Sequence, residues 1–542
     1  MSTKRERDFD AIVIGGGPAG ATASTLLAHR GHCVLLLERE QFPREHVGES
    51  LLPASLPILE ELGVREAVEN AGFLKKYGAT MVWGSSSEPW SWYFQETNRQ
   101  YPHAYQVVRA TFDQILLDNA ANSGVDVRQR HRVTEILRDG ERVRGVAYLD
   151  GDGKPGEASA RVVIDASGQQ ALVANALGLR EWDDFFRNLA VYGYFTGVER
   201  LPVPDEHNIL VEAHPDGWCW TIPLHDGRAS VGVVVDSDHA QERIERGDLS
   251  SFLNEYIAAA PNTQRLVGNA TLEGRPLAVR DWSYVASSLI GDGYVLAGDA
   301  ACFIDPLFSS GVHLAMNAGV LVNAYVTTLL RDEELAIESR PVYERLYLQQ
   351  YRHFRELAKL FYSSNRTADS YFWEARRLTP EAVDLTARAA FVSAVAGQPA
   401  QGYERVVLDR GEAPEAFVAA VRDTETRRAQ RGETVQRLRS TMSELVPTLA
   451  DGVEAVVEPI LEGGEFIRSH VIRSIDRPGG APVSEIIAAA VPLIDGQLTV
   501  GEIASDLGAS YGVKAADLWP VISAAAEILY VDGIIETLDL AK

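Results

Sequence analysis

Gly15, Gly17 and Gly20 form a G-x-G-x-x-G loop with Ala19 inside it, and an acid, Glu38, stands about 20 residues further on. Bare backbone at the glycines lets a pyrophosphate approach the start of a following helix, where unpaired N–H groups and the helix dipole favour an anion. An acid at that distance ends the next strand and can accept a ribose hydroxyl. The chemistry implied is the binding of an adenine dinucleotide, and the loop by itself does not choose between NAD and FAD. Two further groups stand out, the pair Lys75-Lys76 in FLKKYGATMVWG and the indoles Trp218 and Trp220 in WCWTIP. On a strand, alternation puts both indoles on one face. A lysine amine taken out of water loses pKa and can serve as hydrogen-bond donor or nucleophile. Read alone, the lysines are a solvated basic pair and the indoles a core stripe.

These side chains need a scaffold, and its elements are legible. Residues 9 to 38 read as strand (FDAIVI), glycine turn, helix (ATASTLLAHRG) and strand (HCVLLLE), a βαβ unit. Strand-like stretches recur at Ala190–Val198, Asn208–Ala213, Gly217–Pro223 and Ala229–Val235 between Pro/Asp/Gly turns, and suggest an antiparallel sheet. After Gly311 helical periodicity takes over, first in VHLAMNAGVLVNAYVTTLL and then in a charged amphipathic run from Tyr343 to Tyr362. Residues 380 to 480 read as mostly polar helix. The last segment reads as a helix over 484–491, a helix capped by Thr499 with Glu502 in a capping box, a helix to Tyr530 and a hairpin at Asp532-Gly533. That order resembles a small winged-helix module.

Composition narrows the function classes. The chain has 542 residues, 46% hydrophobic and 23% charged, which fits a folded protein of two to four domains. Its net charge of −25 and the lack of a basic cluster argue against nucleic acid or anionic lipid as partner. Cys33, Cys219 and Cys302 lie far apart, so neither a disulfide framework nor a zinc site is suggested and a reducing cytoplasm is expected. Asp8 and Asp10 follow the basic N-terminal residues at once, unlike a signal peptide. The most apolar later stretch, Ile486–Ile494, is nine residues long, too short to span a bilayer, and no transmembrane segment is expected.

Three more segments decide between the dinucleotides: Arg109 in RATFDQILLDNAA, Asp165 to Gly168 (DASG) after RVVI, and Gly298-Asp299 in YVLAGDAACFIDPLFSSGVHLAM. Together with the glycine loop they resemble the flavoprotein monooxygenase superfamily. The resemblance implies FAD, with Arg109 reaching the flavin side, DASG closing near the dinucleotide and Asp299 at the ribityl and pyrophosphate region. The fold it implies is α/β, an FAD-binding Rossmann-like βαβ domain with an inserted antiparallel sheet at about 185–285, followed by a helical C-terminal region. Domains are expected at 1–377 (the flavin core), 378–480 (helical) and 481–542 (winged-helix-like).

WCWTIP matches the W-x-W-x-I-P signature of flavin-dependent halogenases, and Lys76 stands at what looks like that family's active-site lysine position, with Lys75 as the alternative. The resemblance covers roughly residues 8 to 377. It implies that halide and dioxygen give hypohalous acid at reduced FAD, that Trp218 and Trp220 keep an organic substrate from the flavin, and that Lys76 receives the oxidised halogen. Backbone N–H groups of Ser309, Ser310 and Gly311 before a helix would hold chloride or bromide, with Pro306 and Phe308 as walls. Phe361, Tyr362, Tyr371, Phe372 and Trp373 are candidates for the substrate end. GESLLP at Gly48–Pro53 and KKYGATMVWG look closer to halogenases of phenolic, pyrrolic or carrier-bound intermediates than to the free-tryptophan group. The implied partners are a separate flavin reductase and a small aromatic substrate, free or on a carrier protein. Two other readings use part of the same pattern. One is a flavin hydroxylase or geranylgeranyl-type reductase, the other an interaction protein with a vestigial flavin site.

Overall fold

The computed structural model describes residues 9–84, 87–237, 240, 248–362, 388, 392, 395–396, 428–474 and 480–540. The chain forms two compact units, one of Met1–Arg331 with Tyr343–Asp409 and one of Asp332–Val342 with Arg410–Lys542.

In the first unit, strands Phe9–Ile14 and Val34–Leu37 are joined by helix Pro18–His29, as the βαβ pattern requires. Ala11 to Ile14 and Val34 to Leu37 are buried, which is why both strands read as apolar runs without alternation. They run parallel with Ala11 opposite Val34, and Pro155–Asp165 lies parallel on the other side with Val13 opposite Ile164. Tyr294–Leu296 and Asp126–Arg128 extend this sheet in either direction. Pro18 starts the helix, where its missing N–H would have had no intrahelical partner.

Helix Gly311–Arg331 packs on Pro18–His29 so closely that a Cβ on Gly319 would lie 2.7 Å from Thr22 Cβ. This helix is long and apolar enough to cross a membrane by length and composition alone, and 72% of its apolar window is buried in the protein, as in a core helix. The sequence reading names this run as a helix but not as a spanning candidate, since His313, Asn317 and Asn323 interrupt its apolar residues.

The second sheet of this unit has eight strands, in the order Cys302–Phe303, Thr271–Ala286, Arg180–Thr196, Arg228–Asp236, Gly217–Pro223, Ile209–His214, Gly78–Val82 and Trp90–Tyr93. All pairs are antiparallel except Ile209–His214 with Gly78–Val82. Four of these strands answer the four stretches read from the sequence. Period-2 alternation divides the sheet's faces. Val191, Cys219, Val231 and Val233 pack with Leu253 and Tyr256 of helix Leu249–Ala259 in one core cluster. Ala190, Tyr192, Trp218 and Trp220 point the other way, into a cavity.

The second unit departs from its expected course in two places. Residues read as polar helix form strands Leu445–Leu449, Glu454–Glu462 and Glu465–Arg473. Most of their side chains are only half-buried, and in Glu454–Glu462 and Glu465–Arg473 charged residues dilute the alternation that marks a strand. The hairpin expected at Asp532-Gly533 is also absent among the described residues. Gly533, at φ +78°, turns helix Ala515–Val531 into strand Ile535–Leu540, whose partner is the distant Leu445–Leu449. The helix capped by Thr499 forms as read, with the Thr499 and Glu502 side chains each accepting the other residue's backbone N–H.

Candidate active site

A cavity of about 690 Å³ in the first unit runs from the glycine loop to the indole-bearing face of the antiparallel sheet, a size suited to a bound small molecule. Gly15, Gly17, Ala19 and Glu38, Ser167 and Gly168 of DASG, and Asp299, Ser309 and Gly311 all line it. Gly20 is not a lining residue. A Cβ there would lie 2.0 Å from Gly15 O, so this glycine keeps helix and loop in contact. Gly298 likewise serves a close approach, at φ +59° with a built Cβ 3.0 Å from Ala19 Cβ.

Three expected ligands do other work. Asp165 is fully buried and off the cavity wall, where it accepts N–H groups of Ser167 (3.1 Å) and Val173 (2.6 Å) and so shapes the DASG turn. Arg109 lines the cavity, yet its guanidinium is bidentate to buried Asp113 (2.8 and 2.9 Å) and donates to Val47 O at 2.6 Å. It holds the segment ahead of Gly48 rather than reaching out alone. Glu38 accepts N–H groups of Gly16 at 2.7 Å and Glu40 at 2.8 Å, and a carboxylate so placed retains lone pairs for a ribose hydroxyl.

The residues fit a flavin dinucleotide on a direct test. At Gly17 a built Cβ finds one neighbour within 4 Å, Arg44 Nη2 at 3.6 Å, so glycine backbone, helix N-terminus and guanidinium surround the same space. That is a cradle for pyrophosphate. Arg44 also sits 3.2 Å from Asp113. Asp299 is open to the cavity, and desolvation pushes its carboxyl up to about 6 against the pull of Arg109.

Trp218 and Trp220 are both buried, with ring centroids 5.9 Å apart. Their N–H groups are anchored separately, Trp220 to Ser230 Oγ at 3.1 Å and Trp218 to Tyr362 Oη at 2.5 Å. Gly232 stands across the strand from Trp220, and a Cβ there would lie 2.2 Å from the indole.

Lys76, rather than exposed Lys75, is the buried member of the lysine pair. Strand Leu74–Lys76 pairs with Ala104–Gln106 and turns the amine inward, where it donates to Ser50 Oγ at 2.7 Å and Leu51 O at 3.2 Å. Burial alone lowers its pKa from 10.5 to about 7. Lys76 does not line the flavin cavity, whereas its partner Ser50 does. Beside Ser50 lies Glu49, which the sequence reading quoted in GESLLP without a role. It lines the cavity, is 1% exposed and accepts Tyr194 Oη–H at 2.9 Å, and desolvation raises its pKa. An acid between glycine and serine gives no signal of its own. Arg44 was missed for the same reason, since only the tertiary fold brings it under Gly17.

In the expected halide loop, Ser309 adopts φ +58° and its amide donates to Pro306 O at 2.9 Å, which leaves the amides of Ser310 and Gly311 at the first turn of the helix. Ser310 is buried off the cavity wall. Pro306 lines the cavity, while Phe308 packs edge-on to Phe361 at 5.1 Å. Tyr371, Phe372 and Trp373 lie outside the described residues. Among the described residues no group of His, Cys, Asp or Glu could hold a metal.

Comparison with known proteins gives a consistent set. A family model described as tryptophan halogenase matches residues 10–102 and 94–409. A Chondromyces crocatus protein named tryptophan 2-halogenase is 38% identical over 68% of this chain and 71% of its own. A Pseudomonas fluorescens chlorinase of 1H-pyrrole-2-carbonyl-[peptidyl-carrier protein] is 32% identical over 66% of this chain and 85% of its own. The solved structure of the myxobacterial chondrochloren halogenase CndH, described as a variant of FAD-dependent halogenases, matches with TM-score 0.64 at 41% identity, over 74% of this chain and 91% of that one.

Proposed function

Because the chain belongs to the FAD-dependent halogenase family, we propose that it halogenates an electron-rich ring, phenolic or pyrrolic, free or tethered to a carrier protein, in a secondary-metabolite intermediate. Bound reduced FAD supplies the dioxygen chemistry that oxidises chloride or bromide. The glycine loop and Arg44 hold the pyrophosphate, and Glu38 the ribose. Trp218 and Trp220 keep the organic substrate off the flavin. The amides of Ser310 and Gly311, with the Ser309 turn, present halide. Glu49, its carboxyl raised by burial, serves as the acid at the cavity wall, and Lys76 hands the oxidised halogen to the ring, as donor or as nucleophile.

The observation that carries this reading is the Lys76 amine, wholly buried and one serine away from the flavin cavity. A solvated lysine would not be held there. The pyrrolyl-carrier chlorinase among the relatives supports a tethered pyrrole. The relative named tryptophan 2-halogenase makes an indole the second substrate class to test.

We further propose a separate flavin reductase as source of reduced FAD and a cytoplasmic setting, which the free thiols of Cys33, Cys219 and Cys302 suit. The catalytic core is proposed to end near residue 377, with 481–542 as a winged-helix-like module. The capped helix Val500–Tyr511 and helix Ala515–Val531, which share a core cluster, support that module.

The test is purified protein with FAD, a flavin reductase, NADH and bromide or chloride, assayed by mass spectrometry on phenol, pyrrole and indole probes. Halide-dependent product that disappears in Lys76→Ala is expected. Oxygenated product formed equally without halide would replace this reading with a hydroxylase.

A further inference from the structure

We propose that Tyr362, held by Asp305, is a positioning residue that pins the Trp218 indole in the cavity wall and so sets how much oxidised halogen reaches the organic substrate. This rests on the halogenase reading above.

The chain of donors has a fixed direction. An indole N–H can only donate, so the Trp218 contact at 2.5 Å makes Tyr362 Oη the acceptor. The tyrosine O–H is then turned to Asp305 Oδ2, at 2.6 Å. Asn188 Nδ2 lies 3.1 Å from the same Oδ2 and 3.3 Å from Tyr362 Oη, and closes the network from strand Arg180–Thr196. The other Asp305 oxygen accepts Leu307 N–H at 3.0 Å, and the Asp305 N–H donates to Ser283 Oγ at 3.1 Å. Asp305 therefore cannot turn away without unmaking the turn Pro306–Phe308 that leads into Ser309 and Gly311.

Asp305, Asn188 and Trp218 are nearly inaccessible to solvent, at 2%, 6% and 1% exposure. The Asp305 carboxyl is pushed up to about 6 by that burial, with the Tyr362, Leu307 and Asn188 hydrogen bonds opposing it. Buried polar groups of this kind persist when each has its partner. The network ties the strand bearing the indole and strand Arg180–Thr196 to the end of helix Glu333–Tyr362 and to the loop before the proposed halide amides. Trp220, by contrast, is anchored within the sheet on Ser230. Only Trp218 is thus linked to the halide loop.

Tyr362→Phe separates position from packing. The phenyl ring keeps its edge contacts with Phe186 at 5.5 Å and Trp83 at 6.0 Å, and only the hydroxyl is lost. The experiment compares wild type, Tyr362→Phe, Trp218→Phe and the double variant, each with a flavin reductase, NADH and bromide. Brominated phenol per NADH consumed, peroxide released and FAD affinity are measured together. The expected result is unchanged FAD affinity, a coupling ratio lower by about tenfold in Tyr362→Phe, matching peroxide, and no further loss when Tyr362→Phe is added to Trp218→Phe. A coupling ratio equal to wild type, or an equal loss in the Trp218→Phe background, overturns the positioning role. Wild-type protein giving no halogenated product with any halide or ring probe would instead overturn the halogenase reading on which it rests.

Discussion

Replacing Lys76 by methionine should make the protein more stable in mild acid and inactive as a halogenase. At about 1.36 kcal/mol per pH unit, carrying the amine from 10.5 to about 7 penalises its charged form by roughly 5 kcal/mol relative to the unfolded chain. Between pH 7 and 10.5 the unfolded chain binds one more proton than the folded one, so stability rises with pH through that window. The penalty is therefore complete below pH 7 and gone above 10.5. Methionine matches the side chain in length and can lie against Phe94, over which the amine now sits at 5.5 Å from the ring centroid. It also strips Ser50 Oγ and Leu51 O of a donor, at about 1–2 kcal/mol for each of the two acceptors. The net expectation is a gain of about 1–3 kcal/mol at pH 6 that vanishes or reverses by pH 10. Urea unfolding of both proteins, followed by tryptophan fluorescence at the two pH values, measures the difference. Because both chains share every other titrating group, their difference isolates the lysine. A variant destabilised by the same amount at both pH values would refute the argument, since the amine would then carry no desolvation penalty.

Gly20→Ala should abolish FAD retention, because its Cβ would lie 2.0 Å from Gly15 O; flavin fluorescence titration checks this. Glu49→Gln should leave FAD affinity unchanged and lower halogenation on the order of 100-fold. Since desolvation raises the Glu49 pKa, wild-type activity that needs its proton should fall with rising pH above the usual carboxylate range, and the Gln variant should lack this limb in a pH–rate profile. Gly232→Ala should displace Trp220, whose indole a Cβ would approach to 2.2 Å, and raise peroxide release per NADH while Lys76 stays in place. Product and peroxide yields measured together check it.

The sequence by itself determined the glycine loop, the strand-borne indole pair, the first βαβ unit, four strands of the antiparallel sheet and the helices after Gly311. These depend on local rules: glycine at a tight turn, period-2 alternation in Gly217–Pro223, and a proline at the start of a helix. Choosing Lys76 over Lys75 by burial needed the tertiary fold, because two adjacent lysines look alike until one faces inward. So did the exchange of roles among the acids. Asp165 and Glu49 are equally acidic on paper, yet one is consumed by the N–H groups of Ser167 and Val173 away from the cavity and the other lines the cavity wall beside Tyr194. Arg44 below Gly17, and Asp305 and Tyr362 behind Trp218, are long-range meetings that no spacing encodes. In the second unit the strands at 445–473 were hidden, because Leu445–Leu449 pairs with the distant Ile535–Leu540 and charged residues interrupt the apolar positions of Glu454–Glu462 and Glu465–Arg473. Local sequence fixes which backbone turns and periodicities are affordable, whereas solvent exclusion, which decides which of many ionisable groups can do chemistry, is a property of the packed whole.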